Sequence, residues 1–394
     1  MSPRMLTVLR HADVFAPEPK GIVDLLVAGE RIVGLAPRIE APAGVPVEVV
    51  DLEGRRLIPG LVDPHVHLTG GGGEAGASTK VPAVPLSRFT RGGTTTVIGV
   101  LGTDDLTRST GELLARARGL DEEGLTAFAL TGGYHVPPVT VTGSVRGDIV
   151  HVDRILGVGE IAVSDHRSSQ PTLEELLRIA SDAHVAGLMT GKAGIAHLHV
   201  GEGARGLELV RRAIEGSEIP PRVFNPTHVN RRKALFEEAL DFAERGGSID
   251  VTAFPVHEGE DAWSAGEALE RFLGAGFPER RITVSSDGGG CFPRFDGDGR
   301  IVHMDVGAPG ALLAEIAALC ARGHALERVL PAFTRNAADL WRLPRKGRVA
   351  PGADADLVTL DEGSGVVDVM ARGRWHVRAG VTLVRGTFEE GGGA

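Results

Sequence analysis

Short apolar or β-branched runs recur along the middle of this chain, and a helix-like stretch separates each from the next. They cover 57–68, 94–100, 125–131, 155–164, 195–200, 223–229, 249–255 and 282–288. Between them the apolar spacing changes from strand-like to helical. Thr172 and Glu175 form a capping-box pattern ahead of Leu173, Leu176, Leu177 and Ala180. Leu207, Val210 and Ile214 share one helical face, as do Leu235, Ala239 and Phe242. Alternating strands and helices imply α/β architecture with a parallel sheet. Eight such units predict a (β/α)8 TIM barrel, with its chemistry at the C-terminal strand ends. A doubly wound open sheet is the runner-up. Candidate chemical residues fall at strand ends along the whole series, which disfavours it.

Both chain ends read differently. Leu6–Leu9, Ile22–Val27, Arg31–Leu35 and Val47–Val50 are short β-rich runs separated by Gly29-Glu30 and Pro42-Ala43-Gly44. Ala355–Leu360, Val366–Met370 and Trp375–Arg378 repeat that character. Residues 1–56 and 346–394 are therefore expected to build one small β-sandwich domain, with the barrel over 57–345, since termini often lie close together.

The chemistry starts at Asp63-Pro64-His65-Val66-His67-Leu68. Alternate side chains of a strand share a face, so His65 and His67 project together. Two imidazoles at one strand end make half of a metal site. The later strand ends supply Glu160, His199, His228 and Asp287. Four histidines and two carboxylates converging on one barrel mouth suit two Zn²⁺-like ions. His197 alternates with His199 and competes for the same role; His199 lies nearer the strand end and is preferred.

Bulk properties narrow the function. A formal charge of -10 gives no basic footprint for nucleic acid. No apolar run approaches a membrane span, and the N-terminus has no signal-peptide pattern. Cys291 and Cys320 are the only cysteines, so no disulfide framework is expected and a reducing cytoplasm is the default.

The order HxH on the first strand, a bridging residue on the fourth, His on the fifth and sixth and Asp on the eighth resembles the amidohydrolase superfamily. Longer segments resemble its isoaspartyl dipeptidase family. They are 63–74, Gly102-Thr103-Asp104, Gly133-Tyr134-His135-Val136-Pro137, Ser164-Asp165-His166-Arg167-Ser168, Pro226-Thr227-His228-Val229-Asn230-Arg231, Ser285-Ser286-Asp287-Gly288 and Gly352-Ala353-Asp354-Ala355-Asp356-Leu357. Two positions depart from the family pattern. The family usually carries a carboxylated lysine where this chain has Glu160, and a serine where it has Cys291. A small group of amidohydrolases uses glutamate as the bridge.

The resemblance implies hydrolysis of β-aspartyl dipeptides by a metal-bridging hydroxide, with two Zn²⁺ per subunit held by His65, His67, Glu160, His199, His228 and Asp287. Asp287 would carry the proton from nucleophile to leaving amine. Tyr134, the only tyrosine, would donate to the oxyanion. Arg167 and Arg231 offer planar forks for carboxylates. Glu74 sits in a Gly-rich loop and suits an ammonium; Thr103 and Cys291 complete the expected substrate contacts. Two Arg and one Glu match a zwitterionic dipeptide with two carboxylates and one ammonium. The Gly-rich 288–300 stretch is long enough for a lid. The family also implies a homo-oligomer, an octamer. Competing expectations are a cyclic amidase of the dihydroorotase or hydantoinase type, a D-aminoacylase, or a non-catalytic scaffold on the same fold.

Overall fold

A computed structural model of the chain describes residues 6–295, 298 and 300–390. At the N-terminus lie β1 (Leu6–Phe15), β2 (Pro19–Ala28), β3 (Arg31–Ala36), β4 (Val47–Asp51) and β5 (Arg56–Pro59). The barrel strands follow: β6 (Leu61–Val66), β7 (Thr94–Gly99), β8 (Thr126–Thr131), β9 (Ile155–Val163), β10 (Ala196–Val200), β11 (Phe224–Thr227), β12 (Ile249–Thr252) and β13 (Ile282–Ser285). Next come β14 (Cys291–Phe295), β15 (Ile301–Val306), β16 (Leu357–Leu360), β17 (Val366–Ala371), β18 (Arg374–Arg378) and β19 (Val381–Thr382). β6 to β11 pair in sequence as a parallel sheet, and β12 pairs in parallel with β13.

Two seams turn these sheets into a barrel. At one, Val66 bridges Gly288 and the His67 N–H donates to the Gly288 carbonyl at 2.9 Å. Side chains stitch the other, between β11 and β12. The Thr227 hydroxyl donates to Asp250, and the Asn230 amide exchanges hydrogen bonds with the backbone of Thr252. The α/β barrel expected from the alternating pattern is the observed architecture. The expected capping box is present at Thr172, which opens the helix Leu173–Thr190.

The chain ends build the small sheet. Its order is β19-β18-β17-β16-β5-β1-β2-β3, with β4 pairing β1. These nine strands form one continuous sheet that wraps its own core of Leu9, Val14, Leu25, Ile32, Leu57 and Met370. The run 57–68 is two strands where the apolar pattern suggested one. Its first part, within β5, pairs with β1 and β16 of the small sheet; its second, β6, opens the barrel. Gly60 separates them, and a Cβ there would stand 2.0 Å from the Thr95 hydroxyl. Among the described residues, no helix is long and apolar enough to cross a membrane.

Candidate active site

The C-terminal ends of the barrel strands bring the candidate residues together. His65 leaves β6 fully buried, and His67 follows it. On β9, Glu160 is fully buried and lies among all four imidazoles. Its Oε1 is 3.3 Å from His67 Nε2. Its Oε2 is 3.2 Å from His199 Nδ1 and 3.6 Å from both His228 Nε2 and His65 Nε2. Asp287 Oδ1 lies 3.1 Å from His67 Nε2 and 3.5 Å from His65 Nε2. His197, one alternation below His199, points at His65 instead, with Nε2 2.7 Å from His65 Nδ1.

Local backbone explains how these side chains are aimed. Strand β9 carries one residue too many opposite β10: Ala196 faces Val158, while Leu198 faces Ile161. Such a bulge re-aims the side chain it carries, here Glu160. Glycines permit the approach, because a Cβ on Gly157 or Gly159 would meet a carbonyl oxygen of β10's segment at 2.5 or 2.6 Å. His228 and Asp287 both adopt left-handed backbone, φ 61° and 48°, a region sparsely used by residues other than glycine. Gly290 is equally constrained, since its Cβ would stand 2.2 Å from Asp287 Oδ1.

The donor chemistry fits a divalent metal. Three clusters, His65–His67–Glu160, His65–His228–Asp287 and Glu160–His199–His228, each bring three ligand atoms within 4.8 Å of one another. The buried atoms His65 Nε2, Glu160 Oε1 and Asp287 Oδ1 have no hydrogen-bond partner among the described residues. Buried polar atoms are rarely left so, and imidazole nitrogen with carboxylate oxygen is the donor set of zinc and its neighbours. Burial pushes the Glu160 and Asp287 carboxyls up, but the surrounding imidazoles, His65 foremost, hold both well below the ordinary range. Burial works against a charged His67; Asp287 and Glu160 outweigh it and raise its pKa to about 10. His197 is lowered to about 3 by burial and then by its neighbour His65.

Polar groups behind the cluster orient it. Asp165 Oδ2 accepts from His199 Nε2 at 2.9 Å. The same carboxylate holds Arg167 in a fork, 3.0 Å to Nε and 2.8 Å to a terminal nitrogen. Thr252 stands 2.7 Å from His228 Nδ1. Asp63 accepts from the Ser286 backbone and hydroxyl and so ties β6 to the segment carrying Asp287. Sequence reasoning quoted Asp165 and Asp63 inside motifs without giving them roles. Position offers a signal for Asp165, which sits at a strand end two residues before Arg167.

The expected substrate residues line the same mouth. The Thr103 hydroxyl donates to Glu74 Oε1 at 3.1 Å, and Arg167 reaches that oxygen at 3.3 Å. The Arg167 guanidinium also lies over the Tyr134 ring, 5.5 Å from its centroid. Arg231 is 3.4 Å from His199 Nε2. The Tyr134 hydroxyl is 2.8 Å from His199 Nδ1. Burial and then Glu160 raise its pKa well above normal, so it remains a donor. Burial and then Glu74 push the Cys291 thiol up to about 12, so it stays protonated at neutral pH. The 288–300 stretch contributes β14, which pairs antiparallel with β15; its residues 296, 297 and 299, part of the expected lid, lie outside the described residues.

Comparison with known proteins agrees with this geometry. Residues 56–376 match the model of the amidohydrolase family. The β-aspartyl dipeptidase of Fervidobacterium islandicum AW-1, solved in complex with a β-Asp-Leu dipeptide, is 43% identical. The match covers 97% of this chain and 98% of that one, with a TM-score of 0.92. A second structure of the enzyme from that organism is 42% identical over 96% and 98% of the two chains, with a TM-score of 0.88. The imidazolonepropionase of Caulobacter sp. (strain K31) is 39% identical over 111 residues, so this chain spans only 27% of that relative's length.

Proposed function

The chain belongs to the amidohydrolase family, and from that premise we propose that it is a metal-dependent dipeptidase cleaving β-aspartyl (isoaspartyl) dipeptides. The observation that carries the reading is 43% identity to a β-aspartyl dipeptidase across 97% of the chain. The residues in the barrel mouth suit the substrate's charges.

In this reading His65, His67, Glu160, His199, His228 and Asp287 would hold two divalent ions, zinc by donor chemistry. Glu160 offers one oxygen toward His67 and the other toward His199 and His228, so its carboxylate would be within reach of ions held on either side. The chemistry the metal supplies when bound is Lewis acidity toward the scissile carbonyl and a lowered pKa for the attacking water. Asp287 takes the proton from that water and delivers it to the departing amine. Tyr134, a buried phenol that stays protonated, donates to the oxyanion of the tetrahedral intermediate. Arg167 and Arg231 receive the two substrate carboxylates and Glu74 the ammonium. Thr103 orients Glu74, and Asp165 clamps Arg167 so that its fork is preset. Cys291 borders the substrate as a neutral thiol. Assembly into a homo-oligomer belongs to the same proposal and is checked by light scattering.

The test pairs metal analysis of the purified protein with assays on isoAsp-Leu, α-Asp-Leu, hydantoin, dihydroorotate and N-acyl-D-amino acids. Cleavage of isoAsp-Leu in preference to the others is expected. Turnover of a cyclic amide or an N-acyl-D-amino acid without isoAsp-Leu cleavage would replace the proposal with an alternative hydrolase. A protein that neither contains nor responds to divalent metal would defeat the metal assignment.

A further inference from the structure

We propose that His197 and Asn225 form a hydrogen-bonded relay that fixes the tautomer of His65 and turns its Nε2 lone pair into the metal site. The inference rests on the ligand role given to His65 above.

The relay is anchored at its outer end by the backbone. Asn225 Nδ2 lies 2.9 Å from the Ser248 carbonyl oxygen. Only the amide nitrogen can donate to a carbonyl, so the orientation of the amide is set. Asn225 therefore presents Oδ1, an acceptor, to His197 Nδ1 at 2.8 Å. That nitrogen must carry the hydrogen. His197 is fully buried, and its two ring nitrogens meet an amide oxygen and another imidazole. Among the described residues no carboxylate is hydrogen-bonded to it, and a neutral imidazole with its hydrogen on Nδ1 has its lone pair on Nε2. His197 Nε2 is then a lone pair.

That lone pair lies 2.7 Å from His65 Nδ1. His65 donates there, and its own lone pair is left on Nε2. This is the atom 3.5 Å from Asp287 Oδ1 and 3.6 Å from Glu160 Oε2, buried and without a hydrogen-bond partner among the described residues. Each bond in the series leaves one choice for the next, and the last choice is the one a metal needs. His199 is oriented from behind by a carboxylate, Asp165. His65 is oriented by a neutral ring. The site already contains two carboxylates, Glu160 and Asp287, and the relay aims a ligand without adding a third negative charge beside them. Outer partners of this kind fix ring orientation and ligand basicity at metal sites.

The experiment is a zinc titration of the apo-protein against a chromophoric chelator, for the parent and for His197→Phe, His197→Gln and Asn225→Leu. Phenylalanine removes the acceptor for His65 Nδ1–H. Glutamine can place an amide oxygen near the position of the lost nitrogen. Zinc affinity should fall roughly 10- to 100-fold in His197→Phe, the range for lost outer partners, and recover to within about threefold in His197→Gln. Thermal unfolding of the apo forms checks folding. If His197→Phe does not fold, Asn225→Leu carries the test, since it frees the His197 tautomer while leaving both rings in place, and its affinity should also fall. Equal weakening in the Phe and Gln variants would make His197 a packing residue and overturn the relay, as would affinities within twofold of the parent throughout. A parent that binds no zinc would overturn the relay together with the metal assignment. Zinc binding without isoAsp-Leu cleavage would overturn the substrate reading alone, and the variant affinities would still decide the relay.

Discussion

Glu160→Lys restores the residue usual in the family this chain resembles, yet it should abolish activity, and bicarbonate should not rescue it. The argument is one of reach. A carboxylated lysine has three more skeletal atoms than glutamate, and each bond projects ~1.25 Å along an extended chain, so its carboxylate would lie about 4 Å further out. In this protein the shorter side chain already lies 3.2 to 3.6 Å from the four imidazoles. The bulge in β9 and the glycine contacts with β10's segment bring the backbone to that distance. Retreat by about 4 Å would break pairing with both β8 and β10. A misplacement of ~1 Å can cost about 10²-fold in rate, and an overfilled buried site costs about 1–3 kcal/mol of stability. The variant should therefore show less than about 1% of parental isoAsp-Leu turnover, with or without bicarbonate. The parent, whose carboxylate is permanent, should bind the same amount of metal after refolding in CO₂-free buffer. Bicarbonate-dependent activity in Glu160→Lys within about tenfold of the parent would refute the reasoning. So would bicarbonate dependence in the parent, or a single metal per active subunit.

Asp287→Asn removes a proton carrier and should lower kcat by roughly 10²- to 10⁴-fold while KM stays within a few-fold; a near-normal kcat in steady-state assays sinks the acid–base role. Asp165→Ala takes the partner from His199 and the clamp from Arg167, so chelator competition should show about 10- to 100-fold weaker metal binding and kinetics a raised KM. Unchanged affinity and KM would remove Asp165 from the site. His376 is buried with no partner for either ring nitrogen among the described residues, and burial followed by Arg374 lowers its pKa from 6.5 to about 4. The unfolded chain takes this proton near pH 6.5 and the fold refuses it until about pH 4. Stability should therefore fall with pH across that window, by up to about 3 kcal/mol. Urea unfolding at pH 7 and pH 5 should show a smaller drop for His376→Leu than for the parent, and identical drops would exclude the effect.

Local patterns reveal much of this architecture because period-2 and helical spacing are written residue by residue. The division of 57–68 at Gly60 is not visible locally, since the apolar run is unbroken and the partner of its first part lies in β16. The ribbon of β14 and β15 hides in the same way inside a Gly-rich stretch. For the site, His65 and His67 announce a shared face through their alternation, and the other candidates lie at the ends of recognisable strands. The roles of His197, Asn225 and Asp165 depend on partners from other strands, and no spacing along the chain encodes them. Alternation gave His197 and His199 the same inner side of the barrel, but depth along the strand separates one ring that meets Glu160 from one that meets His65.

The strand shared between the two parts of the molecule has a consequence for the order of synthesis. β5 runs through Gly60 directly into β6, which carries His65, and its outer partner is β16, about 300 residues later. At roughly 5–20 residues per second, a ribosome needs about 15 to 60 s to make that partner. During this interval Leu57 and Ile58 form an open apolar edge at the base of the strand that bears the first candidate ligands. Unpaired edges of this kind recruit other chains. The segment that leads into the barrel's opening strand is thus paired on one side by the early β1 and on the other only by one of the last segments to emerge. A chain stopped before residue 357 would leave β5, the strand that leads into the site's first histidines, with one edge unpaired, however complete its barrel.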